Sequence, residues 1–116
     1  MAIKTSLSPN KIFEALLLEH KKRGRETLTS SRRKLHRAFY DVQREFSEEM
    51  REFEFLLRTH PYSPTLDIII RDYRQAKIIA IPDEPGEIMI RNLDSLQNPS
   101  EEATHIAKII YSEMYN

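Results

Sequence analysis

A pair of β-branched runs set directly behind a helical segment limits this chain to a few architectures. Ile78-Ile79-Ala80-Ile81 and Glu87-Ile88-Met89-Ile90-Arg91 flank Pro82-Asp83-Glu84-Pro85-Gly86. Such runs around a short Pro- and Gly-containing turn predict a β hairpin. Ahead of it, Leu66, Ile69, Ile70, Tyr73 and Ala76 recur at helical spacing behind Ser63-Pro64, an N-cap followed by an early position where a helix tolerates proline. Thr65, Asp67, Arg71, Arg74 and Gln75 then face outward. A second stripe, Leu35, Ala38, Phe39, Val42 and Phe46, predicts a helix starting at Ser30 or Ser31. A first stripe, Ile12, Phe13, Leu16 and Leu17, follows Ser8-Pro9-Asn10. It is closed by Gly24 after the cationic turn Lys21-Lys22-Arg23.

Two stretches read less simply. Residues 47–58 fit a helical turn through Arg51 and then a short strand near 53–57, because Phe53, Phe55 and Leu57 alternate. Residues 60–64 read as a break, and 25–30 as a polar connection. Residues 92–99 read as a linker, after which Ser100 caps a last helix with Glu101 and Glu102 in its first turn. Ala103, Ile106, Ala107, Ile110 and Met114 form its stripe, and Ile109 widens it. So broad a band predicts a homodimer interface at Ile106, Ile109, Ile110 and Met114. The competing expectation is that the helix folds back over the hairpin and completes the core.

Length and composition exclude several classes. At 116 residues the chain suits one domain spanning 1–116, with 92–116 as linker and terminal helix. The absence of Cys removes disulfides, thiolate nucleophiles and Cys-zinc sites, and two Gly are too few for a Gly-rich dinucleotide loop. His20, His36, His60 and His105 form no metal-ligand spacing, and no nucleophile elbow or phosphate-cradling loop occurs. The chain is therefore expected to be no enzyme and to need no metal or cofactor. With a mean hydropathy of −0.58 and neither a long apolar run nor a signal-peptide pattern, it reads as cytoplasmic, with no membrane partner.

These elements make an α+β, mostly helical chain. Three helices followed at once by a hairpin is the order of a winged helix, and the segment running through Lys77-Ile78-Ile79 into the hairpin resembles winged-helix regulators. Pro61-Tyr62-Ser63-Pro64-Thr65-Leu66, with Phe53-Glu54-Phe55 ahead and Tyr73 behind, resembles more narrowly the Panacea family of antitoxins, which includes the SocA-like proteins. The resemblance covers about residues 53–91. The chain departs from that family in carrying His60 where a Gly usually precedes the motif, and in being shorter. The order of elements predicts a winged-helix-like three-helix core with a hairpin wing and an extra C-terminal helix, and the Panacea resemblance implies an antitoxin. That resemblance also implies a partner protein, such as a toxin, bound directly.

Net charge is zero, but its distribution is uneven: +7 over residues 1–38, −2 over 39–81 and −5 over 82–116. Lys21, Lys22, Arg23, Arg25, Arg32, Arg33, Lys34 and Arg37 form the densest basic cluster and can neutralise backbone phosphates. Thr65, Arg71 and Arg74 on the third helix complete the predicted nucleic-acid-binding set. Against it stand Asp67 and Asp72 on that helix and the acidic Asp83-Glu84 at the hairpin tip. The expected function is thus a duplex-DNA-binding transcription regulator, with a protein-interaction module as the alternative.

Overall fold

The computed structural model describes residues 7–28, 31–57, 59–82 and 86–115. In chain order these form α1 (Pro9–Lys22), α2 (Arg32–Glu45), β1 (Leu56–Leu57), β2 (Pro61–Tyr62), α3 (Pro64–Gln75), β3 (Ile79–Ala80), β4 (Met89–Ile90) and α4 (Glu101–Met114). The architecture is α+β, with four helices and two small antiparallel hairpins among the described residues.

Local chemistry sets the helix starts. The Ser31, Ser63 and Ser100 hydroxyls each accept the backbone N–H three residues on, at 3.2, 3.1 and 3.1 Å. Pro9 and Pro64 occupy the first helical positions of α1 and α3. The end of α1 is equally specific. Gly24 adopts φ +80°, its N–H reaches the Lys21 carbonyl at 3.0 Å, and the Arg25 N–H reaches the His20 carbonyl at 2.9 Å. This is a Schellman cap, which needs a residue in the left-handed region. A β-carbon at Gly24 would meet no atom within 4 Å, so only backbone strain opposes one. Gly24→Ala is therefore expected to cost about 1 kcal/mol in a urea titration, the left-handed penalty without a clash.

The core gathers the apolar stripes of all four helices. Ile12, Phe13, Leu16 and Leu17 of α1 are buried mainly against α4, while α2 packs on α4 and β2. Leu35, Phe39, Val42, Leu66, Ile69, Ile70, Tyr73, Ile79 and Ile88 are all buried, and Ile90 is half-buried. Ala76 differs from its expected place and is exposed, because α3 ends at Gln75. Tyr73 sets its ring edge-on to Phe13 at 5.4 Å, and its hydroxyl donates to the Glu14 carboxylate, tying α3 to α1.

The terminal helix corrects one expectation. Ile106, Ile110 and Met114 are at most 1% exposed and Ile109 is half-buried, since α4 lies across α1 and α2. Three of the four residues expected at a dimer interface are thus covered within the chain, and nothing of them is left for a second copy. The helix does fold back, but onto the first two helices rather than the hairpin.

Both sheets hold more than the sequence suggested. In the second, β3 and β4 pair with Ile79 opposite Ile90 and Ala80 opposite Met89. The connection read as merely polar joins them: Leu28 N–H donates to the Ile88 carbonyl at 2.9 Å, and Ile90 N–H to the Glu26 carbonyl at 2.8 Å. Thr27 thereby bridges Met89, and β4 sits between β3 and residues 26–28. In the first, Leu56 faces Tyr62 and Leu57 faces Pro61. This ribbon overlaps the expected short strand, but the strand is two residues long and its partner is the expected break. The Gln43 amide holds the approach to it, donating to the Met50 and Phe53 carbonyls at 3.0 and 2.8 Å.

Candidate nucleic-acid interface

His36 organises the junction of α2, β2 and α3. It is 4% exposed, and its ring stacks on Tyr62 with centroids 5.1 Å apart. The Ser63 N–H donates to His36 Nδ1 at 2.9 Å, so Nδ1 must be the unprotonated nitrogen. Nε2 then carries the hydrogen and donates to Asp67 at 3.2 Å. Asp67 also accepts from the Tyr62 hydroxyl at 2.6 Å. Burial lowers the His36 pKa and outweighs the opposing pull of Asp67. Both ring nitrogens are committed, leaving no lone pair to serve as a base or ligand. Among the described residues, no group of three His, Asp or Glu side chains is arranged to hold a metal ion.

Around this junction lie three open depressions of about 570, 460 and 480 Å³. The first two share Arg32, Tyr62 and Asp67, and the last two share Arg74 and Ile81, so they adjoin one another in a groove-like row beside α3 and the base of the hairpin. Its walls carry six permanent cations, namely Arg32, Arg33, Arg71, Arg74, Lys77 and Arg91. Asp67 is the one carboxylate among the described lining residues, and it accepts hydrogen bonds from the Tyr62 hydroxyl and the neutral His36 ring while keeping its negative charge. Arg71 lies 3.7 Å from Asp72, an exposed pair worth little.

Lys77 reaches this groove through strained backbone. It holds φ +62°, the left-handed region, and caps α3 as Gly24 caps α1: Ile78 N–H reaches the Tyr73 carbonyl at 3.0 Å. A lysine there costs energy that a glycine would not. Lys77→Gly is expected to raise stability by about 0.5–1 kcal/mol, read as a higher urea midpoint with unchanged slope.

The basic cluster along residues 21–37 does not form one face. Arg32 and Arg33 line the groove, whereas Lys22, Arg23, Arg25, Lys34 and Arg37 do not. Arg23 pairs with Glu19 at 2.6 Å and lies over the Tyr111 ring, and Arg25 donates to the Tyr111 hydroxyl and covers Tyr115. These two arginines clamp α1 to α4 and are not free for phosphates. His20, fully buried between them, donates from Nδ1 to the Leu16 carbonyl and takes the Tyr115 hydroxyl at Nε2, with burial lowering its pKa. Lys21 sits 4.0 Å from Glu26 and lines a further depression, with Asp94, that adjoins the third through Arg91. Arg37 pairs with Asp41 at 3.6 Å. Thr65 is spent internally, since its hydroxyl accepts the Glu54 N–H at 3.0 Å. Arg71 and Arg74 line the second depression, and Arg74 the third as well. Lys77 and Arg91 were missed because each stands alone in sequence, though both flank the predicted strands. The acidic Asp83-Glu84 tip lies outside the described residues.

No family model matches the chain, and no curated relative or solved structure does either. No helix among the described residues is long and apolar enough to cross a membrane.

Proposed function

We propose that this chain is a duplex-DNA-binding module of the transcription-regulator type, built as a winged helix. The arrangement is supported by the element order together with the bridge of residues 26–28 to β4, which ties the connection between α1 and α2 to the hairpin that follows α3. In this reading α3 presents Ile68, Arg71 and Arg74 to the duplex, with Arg32 and Arg33 at the start of α2 on one side. Lys77 and Arg91 at the base of the hairpin stand on the other. The observation that carries the reading is the charge lining the three depressions: six cations against one described carboxylate, Asp67. Such spacing suits phosphates on a backbone, where affinity comes from counterion release and is sequence-independent.

Binding of a labelled random-sequence duplex at several salt concentrations tests this. Replacing Arg71, Arg74, Lys77 and Arg91 together with Ala should weaken binding to all sequences alike. The log–log salt slope should fall by up to about 0.9 for each phosphate no longer neutralised. Replacing Lys22, Lys34 and Arg37, which lie off the groove, should leave the slope nearly unchanged. A wild-type chain that fails to bind duplex at low salt, or a groove variant that binds as well as wild type, ends the reading.

A further inference from the structure

Three of the large apolar side chains left exposed among the described residues, Leu56, Tyr62 and Ile68, border two adjoining depressions, while Leu57, next along β1, points to the other face of the ribbon. Leu56, Leu57 and Tyr62, exposed at 37%, 65% and 40%, stand on the β1–β2 ribbon, and Ile68, at 48%, lies on the adjoining α3. Scattered exposed apolar residues need no explanation, but a contiguous patch marks an interaction surface. Tyr62 joins them, since it borders the first depression with Leu56 and the second with Ile68.

Three further observations define what fits there. Among the described residues the ribbon has only two strands; β2 is held against α2, and β1 pairs with β2 alone, so its outer edge is open. An open edge is a template for an added strand. Leu56 and Tyr62 are direct cross-strand partners and share one face, beneath which lies the cavity of about 570 Å³. Arg32 and Arg33 border that cavity against one described carboxylate, Asp67, which already accepts from Tyr62 and His36, so the two arginines outweigh it. The surface therefore offers backbone pairing, an apolar seat and net positive charge.

We propose that this patch docks an acidic, extended segment of a partner protein. The segment adds as a third strand at the edge of β1. Its side chain next in line with Leu56 and Tyr62 enters the cavity, and its flanking carboxylates meet Arg32 and Arg33. The cavity shares Arg32 and Arg33 with the DNA reading, but the residues tested there, Arg71, Arg74, Lys77 and Arg91, do not border it, so the two tests can fail independently.

The test uses the full chain and a short labelled peptide of alternating Val and Glu, with an alternating Val and Lys peptide as its opposite. Fluorescence anisotropy should detect binding of the acidic peptide and not the basic one, and amide shifts should map to Leu56, Leu57 and Tyr62. Leu56→Asp should weaken binding by about thirtyfold or more, the effect expected at an interface hot spot. Because Leu56 is exposed, that variant keeps the wild-type circular dichroism. Arg32→Ala with Arg33→Ala should erase the preference for acid, while Arg74→Ala with Arg91→Ala should leave peptide binding intact. Equal binding of both peptides, binding of neither, or shifts confined to α3 and the hairpin would overturn the proposal. So would self-association abolished by Leu57→Glu, which gives the edge to a second copy. Reduced duplex affinity in Leu56→Asp without peptide binding to wild type gives the patch to nucleic acid instead, and also overturns it.

Discussion

Ile110→Glu is expected to unfold the chain at room temperature. Ile110 is fully buried on the face of α4 that meets α1 and α2. A glutamate there either ionises with no partner in the core or stays protonated at the cost of its hydration, and removing a charge from water costs several kcal/mol. The forfeited apolar burial adds about 1.5–3 kcal/mol. Together these approach the whole stability of an ordinary domain, about 5–15 kcal/mol. Ile110→Ala, which leaves only a cavity, should cost about 2–5 kcal/mol. Ile109→Glu, one position earlier and half-buried, should remain folded. Urea titrations followed by circular dichroism distinguish the three. A native helical signal and unchanged midpoint in Ile110→Glu would mean that α4 does not belong to the core.

Acid sensitivity well above the carboxylate range is also expected. His20 and His36 are both buried, and burial lowers both pKa values below the ordinary 6.5. The folded chain therefore holds these rings neutral at a pH where the unfolded chain protonates them. Stability is level above about pH 6.5, where neither state binds the protons. It falls as the pH drops from there toward the folded pKa values, because the unfolded state then binds more protons. Each ring contributes a slope of up to about 1.4 kcal/mol per pH unit, so the pair approaches about 2.7. The two respond differently in structure. A protonated His20 can still donate to the Tyr115 hydroxyl once that hydroxyl turns, whereas a protonated His36 must give up the Ser63 N–H. His36→Gln keeps a donor toward Asp67 but cannot titrate, so it should roughly halve the slope measured from urea midpoints between about pH 6.5 and 5. Identical slopes in variant and wild type would remove His36 from the account.

The helices were legible because their signals are local. The serine caps, the prolines behind them, Gly24 and the apolar stripes each lie within a few residues of what they specify. The ribbon was not, since its strands are two residues long and Pro61 is an unusual strand residue with no N–H to give. The bridge from Thr27 to Met89 was not legible either, because Glu26-Thr27-Leu28 shows no alternation and its partner lies far along the chain. The breadth of α4 was visible, but not what covers it. At the candidate site, charge could be read along the chain and its address could not. Arg23 and Arg25 look like their neighbours Arg32 and Arg33, yet Tyr111 and Tyr115 claim the first pair. Conversely, Lys77 and Arg91 join Arg71 and Arg74 only because the hairpin brings them back beside α3.

The packing of α1 on α4 sets the order in which this chain can become a protein during synthesis. Helix α1 finds its main cover in α4, far along the chain, so the native seat of Ile12, Phe13, Leu16 and Leu17 is incomplete until α4 has been synthesised. At translation speeds of about 5–20 residues per second, the wait is on the order of 5–15 s. The cations Lys21, Lys22, Arg23 and Arg25 stand directly after that apolar stripe and are made with it. Two of these, Arg23 and Arg25, later close over Tyr111 and Tyr115 as α4 arrives.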